Sequence, residues 1–155
     1  MKLKQGQAAP MFSLPDQTGK ARALEDYRGR WVLLYFYPKD DTPGCTAEAC
    51  ALRDRFPRFE KINAVVLGVS ADSVQKHSTF AKKYKLPFTL LSDERKEALK
   101  SYGVWGKKKF MGREYMGIYR TSFLIDAQGK ISRIYENVKP EQHAEEVLRD
   151  LSSMQ

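Results

Sequence analysis

The apolar positions of this chain fall into short runs separated by polar breaks. Gly29-Arg30 is followed by Trp31 to Tyr37, apolar or aromatic throughout and ended by Pro38, which predicts a central strand buried on both faces. Lys39 to Gly44 reads as a polar loop. From Thr46 the pattern turns helical, because Cys45, Ala49, Leu52, Phe56 and Phe59 recur at alternating spacings of four and three and share one face. Pro57 is expected to kink or end that helix.

A second strand is predicted at Ala64 to Ser70, then a cap at Asp72-Ser73 and a helix whose Val74, His77, Phe80, Ala81 and Tyr84 share a face. Pro87 to Leu91 reads as a short strand, and Ser92-Asp93 as the cap of a helix from Glu94 to Tyr102. Arg120 to Asp126 and Ile131 to Asn137 flank Ala127-Gln128-Gly129-Lys130, which predicts an antiparallel hairpin. A closing helix from about Pro140 to Leu151 has Ala144, Val147, Leu148 and Leu151 as its buried stripe. This order predicts an α/β fold with a mixed central sheet flanked by helices on both faces.

The chain has 155 residues, 42% of them hydrophobic, which suits one domain with one core and neither repeat nor linker. The first residues, Met1 to Gln7, hold lysines but no apolar segment, so no secretory signal or lipid anchor is read there. Trp31 to Tyr37 is far too short to cross a bilayer. A cytoplasmic protein without membrane association is the expectation.

The formal charge of +8 admits an anionic partner, but the cations are spread along the chain. The densest patch, Lys107-Lys108-Lys109 with Arg113, is read as a solvated loop, and no nucleic-acid partner is expected. His77 and His143 sit beside apolar helix stripes without ligand spacing, so boundary packing is expected and no metal. Two cysteines are too few for a disulfide scaffold, so their chemistry becomes the question.

Cys45 lies where a strand has ended and a helix begins. Unpaired N–H groups and the positive end of the helix dipole favour a thiolate there, and Pro43 suits an opening turn. Ionisation alone gives little rate. A thiol moved from pKa ~8.5 to ~6 gains roughly 30-fold in thiolate at neutral pH but loses about 13-fold in intrinsic nucleophilicity. A fast reaction therefore needs groups that stabilise charge on the departing atom. Thr42, three residues before Cys45, has a hydroxyl able to bond the sulfur or a substrate oxygen, and Pro38 supplies an apolar wall.

Pro38, Thr42 and Cys45 match the Pro-x3-Thr-x2-Cys fingerprint, and the sequence resembles the peroxiredoxins. Thr42-Pro43-Gly44-Cys45-Thr46, with Cys50 five positions on, is similar to the bacterioferritin-comigratory or Q-type branch. The likeness continues through Leu90 to Asp93, Tyr102 to Gly106 and Arg120 to Asp126.

The resemblance implies a thioredoxin-like fold and a thiol peroxidase that reduces hydrogen peroxide and alkyl hydroperoxides without a cofactor. It further implies Cys45 as attacking thiol, Cys50 as resolving thiol, and Arg120 as the cation completing the site. Thioredoxin is the expected reductant, or glutaredoxin in its place, and a monomer the expected state. Gly44 and Glu48 are supporting candidates. Glu48 is read either as orienting Arg120 or as an ordinary surface or helix-dipole residue.

On an intact helix Cys45 and Cys50 point about 140° apart with Cα atoms about 8.6 Å apart. A disulfide needs less than about 7 Å, so the helix must open locally before they join. Two rival functions remain at this point. One is a thiol–disulfide oxidoreductase, which normally uses Cys-x-x-Cys; the other is a basic nucleic-acid-binding module resting on the Lys107 patch.

Overall fold

In the computed structural model, residues 2–154 are described; Met1, the start of the stretch read for a targeting signal, lies outside them. Two short strands, β1 (Ser13–Pro15) and β2 (Ala21–Ala23), pair antiparallel, and a 3-10 turn spans Leu24–Tyr27. The chain then enters β3 (Trp31–Phe36), α1 (Pro43–Asp54) and α2 (Phe56–Lys61). Next come β4 (Ala64–Ser70), α3 (Val74–Tyr84), β5 (Thr89–Ser92) and α4 (Glu97–Ser101). A ribbon of β6 (Trp105–Phe110) and β7 (Arg113–Ile118) precedes β8 (Thr121–Ile125), β9 (Ile131–Tyr135) and α5 (His143–Met154).

The central sheet has the order β5-β4-β3-β8-β9. β3, β4 and β5 run parallel, while β8 is antiparallel to β3 and β9 to β8. Burial explains why β3 is unbroken in its apolar character. Val32, Leu34 and Phe36 face one core with Leu67, Leu99, Tyr102 and Phe123, and Leu33, Tyr35 and Tyr37 face the other. The second core receives Cys45, Ala49 and Leu52 of α1, Phe80 of α3 and Val147, Leu148 and Leu151 of α5. Burying each of the leucine, valine and phenylalanine side chains stabilises the fold by roughly 1.5–3 kcal/mol. The helices are unevenly shared: α1, α3 and α5 cover this face, whereas the first core is closed by short α4 and the flanking hairpins.

Several expectations need correction. Lys107 to Arg113 is not a solvated loop but part of a two-stranded ribbon, turned by Met111 and Gly112, both at positive φ. The helix expected from Glu94 begins only at Glu97, because Lys96 turns left-handed and the Asp93 carboxylate accepts from Leu99 N at 2.8 Å, deeper than a cap. The closing helix starts at His143 rather than Pro140. At the end of α1 the chain breaks at Arg55 and Pro57 sits in the first turn of α2, so Phe56 and Phe59 belong to a separate helix. The cap expected at Asp72-Ser73 is found at Ser73, its hydroxyl oxygen accepting from Lys76 N. Both histidines are fully buried rather than boundary residues. No helix among the described residues is long and apolar enough to cross a membrane.

Candidate active site

α1 starts after a six-residue loop, Tyr37 to Thr42, that leaves the end of β3. Thr42 is its N-cap in extended conformation, Pro43 opens the first turn, and Cys45 follows on the face turned toward the core, 1% exposed. The register Phe36↔Thr121 between β3 and β8 brings Arg120 to the same edge of the sheet. The helix start that follows one strand and the residue before the start of its antiparallel neighbour are thereby made adjacent.

The Arg120 guanidinium is forked. Nη2 donates to Cys45 Sγ at 3.4 Å, and Nη1 donates to Glu48 Oε1 at 2.8 Å. Glu48 is 1% exposed, so the surface reading of that residue is overturned, and its Oε2 is buried without a hydrogen-bond partner. Burial raises the Glu48 carboxyl from 4.5 to about 7, against the lowering charge and hydrogen bond of Arg120. For Arg120 the balance runs the other way. Burial lowers it, but the charges and hydrogen bonds of Cys45 and Glu48 outweigh that and raise its pKa.

Gly44 makes room for the fork. A Cβ there would meet Arg120 Nη2 at 3.1 Å and Pro140 Cγ at 3.7 Å. Pro38 is half-buried at the exit from β3. Thr42 departs from expectation: its hydroxyl donates to Lys39 O at 2.8 Å and does not bond the sulfur. With its proton committed, that oxygen can only accept from a substrate O–H. Its side chain makes no cap bond either.

The loop carrying Thr42 is anchored by residues that spacing did not single out. Asp40 Oδ2 pairs with His77 Nδ1 at 2.6 Å, Asp40 Oδ1 accepts from Tyr37 Oη at 2.6 Å, and Asp40 N donates to Asp72 Oδ2 at 2.9 Å. His77 Nε2 lies 2.9 Å from Leu91 O, so both its ring nitrogens are engaged. Asp41 adopts a left-handed backbone, φ 58, and its carboxylate is bound by Lys83 Nζ and Tyr84 Oη, each at 2.7 Å. Those two bonds hold the Asp41 carboxyl below its ordinary range. Asp40, Asp72 and His77 are close enough to suggest a cation site, but they are already paired with the protein. A signal for the anchor was present in the sequence, since a histidine inside an apolar helix stripe needs a buried polar partner.

Cys50 lies on the same helix as Cys45, half-buried and free. With α1 continuous from Pro43 to Asp54, the five-residue separation holds the two Cα atoms about 8.6 Å apart.

The model of the AhpC/TSA family matches residues 5–134. The peroxiredoxin Bcp of Escherichia coli is 52% identical over 146 residues, 94% of this chain and 94% of its own length. A putative peroxiredoxin bcp from Coxiella burnetii is 50% identical over 148 residues, covering 96% and 98%. Among solved structures, a mutant PrxQ from Xylella fastidiosa superposes with TM-score 0.94 at 36% identity, covering 99% and 98%. A bacterioferritin comigratory protein from Xanthomonas campestris, described for its alkyl peroxide reduction activity, gives TM-score 0.88 at 35% identity over 92% and 91%.

Proposed function

The chain belongs to the AhpC/TSA family and is a peroxidase of the peroxiredoxin Bcp and PrxQ kind, and from that premise we propose that Cys45 is the attacking sulfur, with Arg120 and Thr42 acting on the peroxide. The Cys45 thiolate attacks the terminal oxygen of a hydroperoxide. A sulfur–oxygen bond forms as the oxygen–oxygen bond breaks, and the departing alkoxide or hydroxide takes a proton and leaves as alcohol or water. Sulfur is oxidised to a sulfenic acid.

Charge develops on the departing oxygen, so a donor aimed beside the sulfur acts mainly in the transition state. Arg120 Nη2, 3.4 Å from Sγ, supplies one such donor and the first-turn N–H groups of α1 supply others. Glu48 holds the guanidinium in plane through Nη1. The Thr42 oxygen orients the peroxide by accepting its proton in a hydrogen bond. Hydrogen peroxide and alkyl hydroperoxides both satisfy this geometry, since only the –OOH group is read.

The second half of the cycle runs through Cys50. The start of α1 opens, the Cys50 sulfur attacks the Cys45 sulfenic sulfur, and the hydroxyl departs as water, leaving an intramolecular disulfide. A dithiol protein of the thioredoxin type, in a reducing cytoplasm, then restores both thiols by exchange.

The observation that carries this reading is the Arg120 fork between Cys45 and Glu48. Peroxide consumption with a thioredoxin system tests it, comparing wild type with Cys45→Ser, Cys50→Ser and Arg120→Ala. Activity that survives Cys45→Ser would sink the assignment. Thiol labelling after one equivalent of peroxide tests the second half: wild type should lose both thiols, and Cys50→Ser should stop at the sulfenic acid and pass to sulfinic acid with excess peroxide.

A further inference from the structure

Among the described residues, the large apolar side chains left exposed are Met11, Phe110, Met111, Tyr115, Met116 and Tyr119. Five of these six lie on the β6–β7 ribbon or on the residue leaving it. Phe110 is 67% and Met111 88% exposed, both at the tip. The ribbon pairs only with itself and stands apart from the central sheet. Its own sequence carries Lys107, Lys108, Lys109 and Arg113 against a single carboxylate, Glu114. Clustered exposed apolar side chains rimmed by charge mark contact surfaces rather than ordinary exterior.

The ribbon is also adjacent to the candidate active site. Lys108 Nζ donates to Ile118 O at 3.0 Å, two residues before Arg120. Its ammonium lies within electrostatic reach of both Arg120 and Cys45. Two facing glycines allow this approach. A Cβ at Gly117 would strike Lys108 Cδ at 2.9 Å, and one at Gly106 would strike Tyr119 Oη, which donates to Lys107 O at 2.7 Å. Cross-strand register puts Lys108 opposite Tyr115, and Phe110 opposite Arg113. All four share one face of the pleat, which therefore runs from the sulfur's surroundings out to the tip.

We propose that this ribbon face is the docking surface for the protein that reduces the enzyme, a dithiol protein whose apolar contact surface is rimmed by carboxylates. The proposal rests on the thiol-peroxidase reading above and names the partner of that same site. A reductant must bring its thiolate into bonding distance of a sulfur at the start of α1, so it has to cover whatever stands beside that helix start. The ribbon offers apolar anchors with a cationic rim there. Burying Phe110 and Met111 would supply affinity, and Lys108 and Arg113, on the same face, would steer an acidic partner and fix its orientation.

The test separates a small dithiol, which needs no docking surface, from a protein reductant. Turnover of hydrogen peroxide is measured with dithiothreitol and with an acidic thioredoxin and its reductase, for wild type, Phe110→Ser/Met111→Ser and Arg113→Glu, the exposed cation on the same face as Phe110. Circular dichroism confirms that each is folded. Both variants should keep wild-type turnover on dithiothreitol while kcat/KM for thioredoxin falls about tenfold or more, the size expected for lost anchor residues. Wild-type kcat/KM for thioredoxin should also fall with added salt, and that dependence should flatten in the charge-reversed variant.

An unchanged thioredoxin kcat/KM in both variants would overturn the proposal. So would a wild type that turns over on dithiothreitol but is not reduced by thioredoxin. Sedimentation with anionic phospholipid vesicles that depends on Phe110 and Met111, without any thioredoxin effect, would reassign the ribbon to membranes. Failure on dithiothreitol itself would count against the peroxidase reading of the site, not against the ribbon.

Discussion

Glu48→Gln isolates the charge that the fold buries beside Cys45. Glutamine keeps an oxygen for Arg120 Nη1 at nearly the same position, so packing and the 2.8 Å hydrogen bond are retained while the titration is lost. In wild type the carboxyl rises from 4.5 to about 7 because burial outweighs Arg120. A group whose folded pKa is raised gives stability that is fully present below its unfolded pKa and lost as pH climbs through the folded value. Wild type should therefore lose stability relative to Glu48→Gln between pH 5 and pH 8. The loss should be on the order of 2–3 kcal/mol, at about 1.4 kcal/mol per unit. The assay is urea unfolding of the reduced proteins at both pH values, taking the difference between variants so that all other titrating groups cancel. A difference that changes by less than about 1 kcal/mol would refute the burial argument and show that Arg120 offsets it.

Three further outcomes follow from the same geometry. Arg120→Lys should lower the second-order rate constant with peroxide about as much as Arg120→Ala, on the order of 100-fold, because an ammonium lacks the planar fork that serves Glu48 and the sulfur together; stopped-flow peroxide consumption measures it. Gly44→Ala should keep or raise the unfolding free energy, by up to about 1 kcal/mol from helix propensity, yet slow peroxide reduction, because its Cβ crowds Arg120 Nη2 at 3.1 Å. His77→Leu should cost roughly 1–3 kcal/mol for each partner it orphans, Asp40 and the Leu91 carbonyl, in denaturant unfolding. It should also weaken peroxidase activity by freeing the loop that holds Thr42.

The sheet was legible where burial is two-sided. Trp31 to Tyr37 is apolar without interruption because both faces of β3 are covered, and Ala64 to Ser70 is recognisable as a strand for the same reason. The ribbon from Trp105 to Ile118 was not legible, since it rests on little else and its strands alternate glycine, lysine and exposed aromatics, which reads as loop chemistry. The start of α4 was misplaced because Asp93 reaches past a left-handed Lys96 to the Leu99 amide, a bond no local cap pattern predicts.

At the site, Cys45, Thr42 and Pro38 lie within eight consecutive residues and could be grouped by spacing. Arg120 could be placed only by resemblance, because nothing local links it to a residue 75 positions away. The direction of the Thr42 hydroxyl and the Asp40–His77 anchor depend on where α3 packs, which the chain's periodicity leaves undetermined.

The antiparallel pairing of β3 with β8 has a consequence for how this chain tolerates change in length. Arg120 stands next to Thr121, which pairs with Phe36 at the strand end that feeds Cys45's helix. One residue added within β8 would slip the register, invert every side chain beyond it, and turn the guanidinium toward the opposite side of the sheet. Residues added at the Gln128-Gly129 turn would leave that spacing untouched. Insertional scanning of this molecule should therefore lose peroxidase activity abruptly inside β8, whereas an insertion at the turn keeps Arg120 beside Cys45 and costs stability through the turn's bonds to Ala9, Arg28 and Gly29.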